Sequence, residues 1–372
     1  MNALRITILK TLDATLGSLL CRWARRSRRM RANVAAIPSD PKAILVIRPG
    51  GLGDLILLLP VLRRLVALYP RARIDLVCEK RNQEMIPLSG LPVRPLAYDT
   101  SPVSFLRGLL RTSYDLAIDS EQFHHFSALF AVASGAPVRI GFNINPVRFP
   151  LYTHGVSYET NGFEGTQFMR LLEPLEEVSA SGKQDASSSE PKAPAKPDPA
   201  NEAPAPFVLL HPGATSRHKQ WAPDRFVELA LRLLESTELD VAVLADPRRN
   251  RASARVRRAL DKIRAPRLRI LPAQSLRETA ELIRRSQVLV GSDSGLIHLA
   301  VWLGTPSVAL FGPGDPDKWS QPHPRHQVVR HPLPCAPCAL FGRHTPCRAI
   351  DCMQAITVEE VLSAVAKALC KS

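Results

Sequence analysis

Between Ala43 and the end of the chain, short apolar runs of four to six residues alternate with amphipathic stretches of helical length. AILVIR (Ala43–Arg48) is continuous apolar sequence up to its last residue, the signature of a strand buried on both faces of a parallel sheet. PGGLGD (Pro49–Asp54) turns the chain, and LILLLPVLRRLVAL (Leu55–Leu68) reads as a helix that tolerates or kinks at Pro60. Further strands are predicted at Ile74–Cys78, Leu116–Asp119 and Val138–Phe142. The rhythm restarts after a break: strands at Phe207–Leu210, Val241–Leu244 and Leu268–Leu271, helices at Asp224–Leu234, Arg251–Ile263 and Leu276–Arg285. Val290–Trp319 then reads as a strand ending at Gly291, a small-residue turn, a short apolar helix from Leu296 and a second buried strand at Ser307–Phe311. A last amphipathic helix, Val358–Leu369, has Thr357 as its N-cap. Strands alternating with helices predict α/β architecture: two Rossmann-like domains facing a cleft, with ligands at the carboxyl ends of the strands.

The break, Val178–Pro206, is rich in Ser, Ala, Lys and Pro and has too little apolar surface to order itself; it is expected to be a linker. The expected division is therefore residues 1–40 as a helical basic extension, 41–177 as the first domain, 178–206 as linker, 207–356 as the second domain and 357–372 as a closing helix.

Composition adds one constraint. With 372 residues and 45% hydrophobic content the chain is ordinary, but its formal net charge is +15. Arg22, Arg25, Arg26, Arg28, Arg29 and Arg31 form one run; the remaining excess is dispersed, which fits an anionic substrate or surface better than a nucleic-acid stripe. Aromatic content of 6% offers little for base stacking, so no nucleic-acid partner is expected. Before that run, Leu4, Ile8, Leu12, Leu16, Leu19 and Leu20 recur at helical spacing, with Trp23 following. The segment is too short and too charged to span a bilayer. It can lie on an anionic membrane surface or dock on the protein itself, and the spacing alone does not choose. No cleavable signal peptide is read at the start, and a cytoplasmic setting is expected.

Three turns carry chemistry. Gly51 and Gly53 occupy the first two positions of a G-x-G-x-x-G pattern, but Ile56 stands at the third and no Gly-Lys-Ser/Thr follows; neither a dinucleotide fingerprint nor a P-loop is present. What remains there is Asp54, at a strand-to-helix junction, either a general base or a carboxylate that only offsets the helix dipole. HPGATSRHKQWAP (His211–Pro223) offers Thr215 and Ser216 hydroxyls with Arg217, His218 and Lys219, a metal-free phosphate grip. The turn at Asp293, Ser294 and Gly295 opens a helix whose N–H groups and dipole suit an anion, and His298 follows one helical turn later. Cys335, Cys338, Cys347 and Cys352, four of the 7 cysteines, are spaced C-x2-C-x8-C-x4-C. That set can bind structural zinc or consist of packed thiols; both readings stay open.

RPGGLGDLILLLPVLRRL, HPGATSRHKQW and DSGLIHLAVWLGTPSVALFGPGDPDKW together resemble the signature blocks of glycosyltransferase family 9, the lipopolysaccharide heptosyltransferases. The late CAPC…C…CM segment also resembles that family's C-terminal region. The resemblance implies a GT-B fold and inverting transfer of heptose from the donor substrate ADP-heptose to the inner core of lipopolysaccharide, with no cofactor required. It implies that Asp54 is the catalytic base on the acceptor side, beside the Gly51/Gly53 turn. Thr215, Ser216 and Lys219 would grip the donor phosphates, with Asp293, Ser294, Gly295 and His298 forming the donor-binding turn. The chain departs from the family at Ala245–Asn250, where ADPRRN replaces a glycine-rich loop bearing a glutamate. A GT-B transferase with another nucleotide sugar, a same-fold nucleotide-sugar epimerase and an inactive membrane-associated scaffold are the competing expectations; the intact Asp54, Lys219 and Asp293 argue against the scaffold.

Overall fold

The apolar runs become the interior strands of two separate sheets. In the computed structural model, which describes residues 11–26, 35–181, 205–214, 216–247, 250–340, 343–344, 347 and 349–370, the chain divides into two compact units, Met1–Glu190 and Pro191–Ser372. In unit 1, β1 (Ala43–Ile47), β2 (Arg73–Cys78), β3 (Val93–Ala97), β4 (Leu116–Asp119), β5 (Val138–Phe142) and β6 (His154–Val156) form one sheet in the order β3-β2-β1-β4-β5-β6. All of its pairings are parallel. In unit 2, β7 (Phe207–His211), β8 (Asp240–Leu244), β9 (Leu268–Leu271), β10 (Val288–Ser292), β11 (Ser307–Phe311) and β12 (His326–Arg330) repeat that order: β9-β8-β7-β10-β11-β12. Each sheet thus has its first strand beside its fourth, the switch point at which doubly wound folds bind ligands.

The strands are where the apolar runs place them, within a residue, but β3, β6 and β12 were not anticipated. β3 contains Pro95, exposes Arg94 and is only partly buried from Pro95 to Ala97; β6 is only His154–Val156; β12 begins with His326 and Gln327. All three are sheet edges, where one side of the ladder is unpaired and neither an apolar run nor every N–H is required.

Among the helices, α1 (Ser18–Ala24) follows a π-helical turn at Asp13–Gly17. α2 (Leu52–Leu68) continues through Pro60 and starts three residues before the apolar run, which places Gly53 and Asp54 inside its first turn and not in the preceding loop. α3 (Pro102–Arg111), α4 (His125–Ala133) and α5 (Glu164–Arg170) complete the helices of unit 1 used below. In unit 2, α6 (Pro223–Ser236), α7 (Arg251–Leu260), α8 (Leu276–Arg285), α9 (Gly295–Trp302) and α10 (Val358–Cys370) occupy the predicted segments. Thr357 does cap α10: its Oγ1 accepts from the Glu360 N–H at 3.2 Å, while the Glu360 carboxylate accepts from the Thr357 N–H at 2.7 Å. The expected linker start overlaps a helix at Glu173–Ser181; residues 182–204 lie outside the described residues.

The N-terminal helix docks on its own unit. Asp13 accepts from the backbone N–H groups of His125 and Phe126 at 3.0 and 2.8 Å, capping α4 from another part of the chain. Burial alone would raise the Asp13 pKa, but the hydrogen bonds from His124, His125 and Phe126 outweigh it and hold this carboxyl well below the usual range. Cys21 and Ala24 are buried in one core with Ala128, Ala131 and Leu109. Residues 1–10 and Arg28, Arg29 and Arg31 lie outside the described residues.

Candidate functional site

In unit 1 the site grows from the first residue after β1. Arg48 ends the apolar run, and its side chain stays buried at 5% exposure. One of its nitrogens lies 2.9 Å from Asp54 Oδ1, and another donates to the Ser120 carbonyl at 2.9 Å. Glu121 is 3.8 Å away, and the guanidinium carbon stands 4.8 Å from the Phe168 ring centroid. Burial by itself would lower the Arg48 pKa; Asp54, Glu121 and Glu164 more than compensate and raise it, so Arg48 is a permanent cation. The second oxygen of Asp54 accepts from the Gly51 N–H at 3.0 Å. The carboxylate keeps 26% of its surface exposed, so a face remains open for a proton.

The glycines here are spacing, not phosphate cradle. A Cβ on Gly50 would stand 3.0 Å from Arg48 Nε and 3.2 Å from Asp54 Oδ2, and one on Gly51 3.3 Å from the same oxygen. Asn82 ties the loop down from β2's far end, its Nδ2 donating to the Gly50 carbonyl at 2.7 Å. Arg48, Asn82, Glu121 and Glu164 were missed by sequence reasoning. The signal for Arg48 was present, a charge terminating an otherwise apolar strand; the other three are assembled only by the fold.

In unit 2 the two predicted donor stretches meet across the switch point. Lys219, in a short helical turn after β7, places Nζ 2.5 Å from Asp293 Oδ2 after β10. Asp293 is nearly buried, at 6% exposure of its side chain, and its backbone N–H donates to the Leu310 carbonyl at 3.0 Å. Gly314 makes room for it: a Cβ there would be 2.8 Å from Asp293 Oδ2. Ser216 accepts from the His218 N–H at 3.3 Å. Ser294 stands at the N-cap of α9 without making a side-chain cap, and Gly295 begins the helix. The buried hydroxyls of Ser292 and Ser294 have no hydrogen-bond partner among the described residues. Such groups are costly unless something else satisfies them. Thr215 lies outside the described residues.

His298 is buried and lines a narrow cavity with Asp293, Trp319, Ser320 and His326. His326 touches the Ser307 and Ser320 hydroxyls through its two ring nitrogens, each at 2.8 Å. Burial, then the neighbouring His298 and His323, push its pKa down to about 4. In the loop that departs from the family pattern, Asp246 is buried after β8 and Asn250 caps α7 through the Ser253 N–H at 2.8 Å.

The four late cysteines, Cys335, Cys338, Cys347 and Cys352, fall together in unit 2 after β12. Among the described residues no three His, Cys, Asp or Glu side chains are grouped to hold a metal ion. Burial, with the neighbouring cysteines, raises the pKa of both Cys338 and Cys352. Cys335 is exposed, while Cys352 joins the core of unit 2. The segment packs on its surroundings through backbone groups: the Cys338 and Ala339 N–H groups donate to the Pro313 carbonyl at 3.0 and 2.8 Å, and His218 Nε2 meets the Cys347 carbonyl at 3.0 Å. It therefore braces both the glycine loop beside Asp293 and the turn that carries Lys219.

A family profile described as glycosyltransferase family 9 (heptosyltransferase) matches residues 103–347. The chain belongs to glycosyltransferase family 9. Among curated proteins, lipopolysaccharide heptosyltransferase 1 of Pseudomonas aeruginosa is 27% identical over 325 residues, covering 79% of this chain and 85% of the relative. Lipopolysaccharide heptosyltransferase 2 of Escherichia coli is 27% identical over 308 residues, covering 74% and 84%. Among solved structures, the E. coli heptosyltransferase WaaC with ADP superposes with a TM-score of 0.66 at 17% identity, over 88% of this chain and 99% of that one. E. coli ADP-heptose lps heptosyltransferase II gives 0.63 at 23%, over 88% and 98%. These likenesses establish the GT-B fold, and the family makes this family 9 protein a glycosyltransferase.

Proposed function

We propose that this family 9 enzyme transfers heptose from ADP-heptose to the inner core of lipopolysaccharide with inversion at the anomeric carbon. Unit 1 takes the acceptor and unit 2 the donor. The observation that carries the reading is Asp54: a carboxylate at the switch point of unit 1, fixed on both oxygens yet still open on one face. It accepts the proton of an acceptor hydroxyl as that oxygen bonds to the anomeric carbon. The bond from that carbon to the diphosphate breaks, and ADP leaves with the electron pair.

In the donor unit, Lys219, the Ser216 hydroxyl and the N–H groups at Ser294–Gly295 stabilise the charge that grows on the diphosphate. The unpartnered Ser292 and Ser294 hydroxyls supply further donors. Thr215 belongs to the same grip by its place in the sequence. Asp293, next to Lys219, meets the sugar hydroxyls, with His298 behind it. Preorganised donors of this kind typically contribute on the order of 100-fold each. No divalent metal takes part in this scheme. Asp246 and the Ala245–Asn250 loop follow the second strand of the donor unit and are the segment we assign to the nucleoside.

The acceptor is a lipid-borne anion, which fits the net charge of +15, and the reading places the enzyme at the cytoplasmic face of the inner membrane. No helix among the described residues is long and apolar enough to cross a membrane, so the proposed contact is peripheral. The test is ADP release from ADP-heptose with and without deep-core lipopolysaccharide, for the native enzyme and Asp54→Asn. Acceptor-dependent release that disappears in the variant, with ADP binding retained, is the expected result. Equal loss of binding and turnover would refute the base assignment.

A further inference from the structure

Large apolar side chains left in solvent are unevenly distributed. Among the described residues they are Leu12, Leu16, Leu19, Leu20 and Trp23 of the N-terminal helical segment, Val103, Leu106 and Leu110 of α3, Phe149, and in unit 2 Val328. Trp23 is 71% exposed and Val103 69%. The segment and α3 are far apart in sequence, yet both pack on α4 and contribute to one core, through Cys21 and Ala24 on one side and Leu109 on the other. They are therefore neighbours on one flank of the unit 1 sheet.

Each helix presents the same pattern. Leu12, Leu16, Leu19/Leu20 and Trp23 recur at three- and four-residue intervals beside the buried Asp13, Gly17, Cys21 and Ala24. Arg22 and Arg26 border that stripe. In α3, Val103, Leu106 and Leu110 make the stripe, with Arg107 and Arg111 along its edge. Arg22, Arg25, Arg26, Arg107 and Arg111 are all exposed. The only acid on either helical segment is Asp13, which is buried and committed to capping α4. Among the described residues no ion pair engages any of the five arginines.

We propose that the segment 12–26 and α3 form a single two-helix platform that seats unit 1 on an anionic phospholipid surface. Sequence periodicity posed docking and membrane contact as alternatives for the first segment; the structure lets one helix do both, because adjacent faces are used, one buried and one exposed. Exposed leucines and a tryptophan, bordered by exposed arginines on the two described helical segments, match an interface whose outer layer is phosphate and whose inner layer is hydrocarbon. An interface with a second copy of this chain would oppose arginine to arginine. The platform rests on the membrane side of the reading above and not on its chemistry. α3 is the new element, since neither its exposed stripe nor its adjacency to the first helix is visible in the sequence.

The test is co-sedimentation of the full chain with phosphatidylglycerol and with phosphatidylcholine vesicles, without nucleotide sugar or acceptor. Binding is expected only to the anionic vesicles and should fall steeply with salt. The decisive variant is R107E/R111E on α3, because it leaves the arginine run untouched. At about fivefold per arginine near the surface, loss of the two positive charges alone should weaken binding by about 25-fold, and the two added negative charges weaken it further. Trp23→Ser and Leu106→Ser should each weaken it as well, while the melting temperature stays near that of the native chain because all these side chains are exposed. Unchanged binding in R107E/R111E, or equal binding to neutral vesicles, would overturn the platform. So would a native chain that is dimeric in solution and becomes monomeric in these variants, since the face would then be a self-association surface. Vesicle binding without heptose transfer would instead sink the activity assigned above and leave the platform standing.

Discussion

One oxygen of Asp54 lies 2.9 Å from the Arg48 guanidinium, while the other accepts the Gly51 N–H at 3.0 Å. The side chain is thus fixed in rotation by two groups on its own strand–turn–helix unit, one a buried cation and one a backbone amide. In the proposed mechanism, a base held this way needs no reorganisation when the acceptor hydroxyl arrives.

The proposed mechanism makes Arg48 a positioning residue, and its removal should then separate chemistry from binding. Arg48→Met is expected to lower kcat by about 100-fold, the usual scale for loss of alignment at a reacting group. ADP affinity should not change, because every donor contact assigned here belongs to unit 2. Arg48→Lys should recover part of the rate, since it restores charge but not the forked geometry. The Met variant also leaves Asp54, Glu121 and Glu164 without their shared cation, a loss of roughly 3–5 kcal/mol by analogy with broken buried pairs. Thermal melting and steady-state kinetics measured together separate the two effects; a native kcat would remove Arg48 from the positioning role.

The Lys219–Asp293 pair makes a second prediction. Lys219 is partly exposed and Asp293 nearly buried, so truncating the lysine leaves a carboxylate with no cation. Lys219→Met should raise the KM for the nucleotide sugar by at least tenfold, consistent with about 1.5–3 kcal/mol for a charged hydrogen bond. Asp293→Asn should weaken sugar recognition more than ADP binding, because its proposed partner is the sugar. A double-mutant cycle on melting temperature should show coupling between the two positions; strict additivity would mean that the contact contributes nothing.

Much of this was legible in sequence, and the reason is local. Buried parallel strands such as AILVI and SVALF announce themselves as apolar runs, and Asp54, Lys219 and Asp293 each lie within about eight residues after such a strand. That Lys219 and Asp293 touch is not local: they are joined because β7 pairs with β10 across the switch point. The same holds for Glu121 and Glu164, which reach Arg48 only through the folding of β4 and the packing of α5 on α2. The place of Cys352 is likewise not local: the spacing of the four cysteines says nothing of the core of unit 2, which the fold builds partly from Cys352. Edge strands escaped notice because their burial is incomplete and periodicity is weak without it.

Gly314 tests how closely the donor turn is fitted. A methyl group there would approach Asp293 Oδ2 to 2.8 Å, closer than real Cβ contacts come, and Phe311 restricts the other side at 3.6 Å. Gly314→Ala should therefore push Asp293 off Lys219. We expect a severalfold to tenfold rise in donor KM with little change in folding, measured by titration with ADP and with the nucleotide sugar. Gly108, which has open space around its Cβ position, is the control: Gly108→Ala should leave both constants unaltered and stabilise α3 by up to about 1 kcal/mol.

His326 sets an acid limit on unit 2. Its pKa falls to about 4 in the folded chain, first through burial and then through His298 and His323, against about 6.5 when unfolded. Between those values the unfolded chain binds the extra proton and the folded chain does not, so stability rises with pH across the window. Read downward, the contribution is intact above about pH 6.5 and is lost progressively toward pH 4, by roughly 3 kcal/mol in all at 1.36 kcal/mol per pH unit. His124 in unit 1 works in the opposite sense, because its hydrogen bond to Asp13 raises its pKa; a raised imidazole stabilises at low pH and loses that contribution as pH rises. Comparing the native chain with His326→Gln cancels His124 and every other group common to both. Denaturant unfolding at pH 7.5, 6 and 5 should show the native chain losing stability faster than His326→Gln as pH falls. Parallel loss in the two proteins would mean that His326 accepts its proton without cost and that the serine pair around it, Ser307 and Ser320, solvates the imidazolium as well as water does.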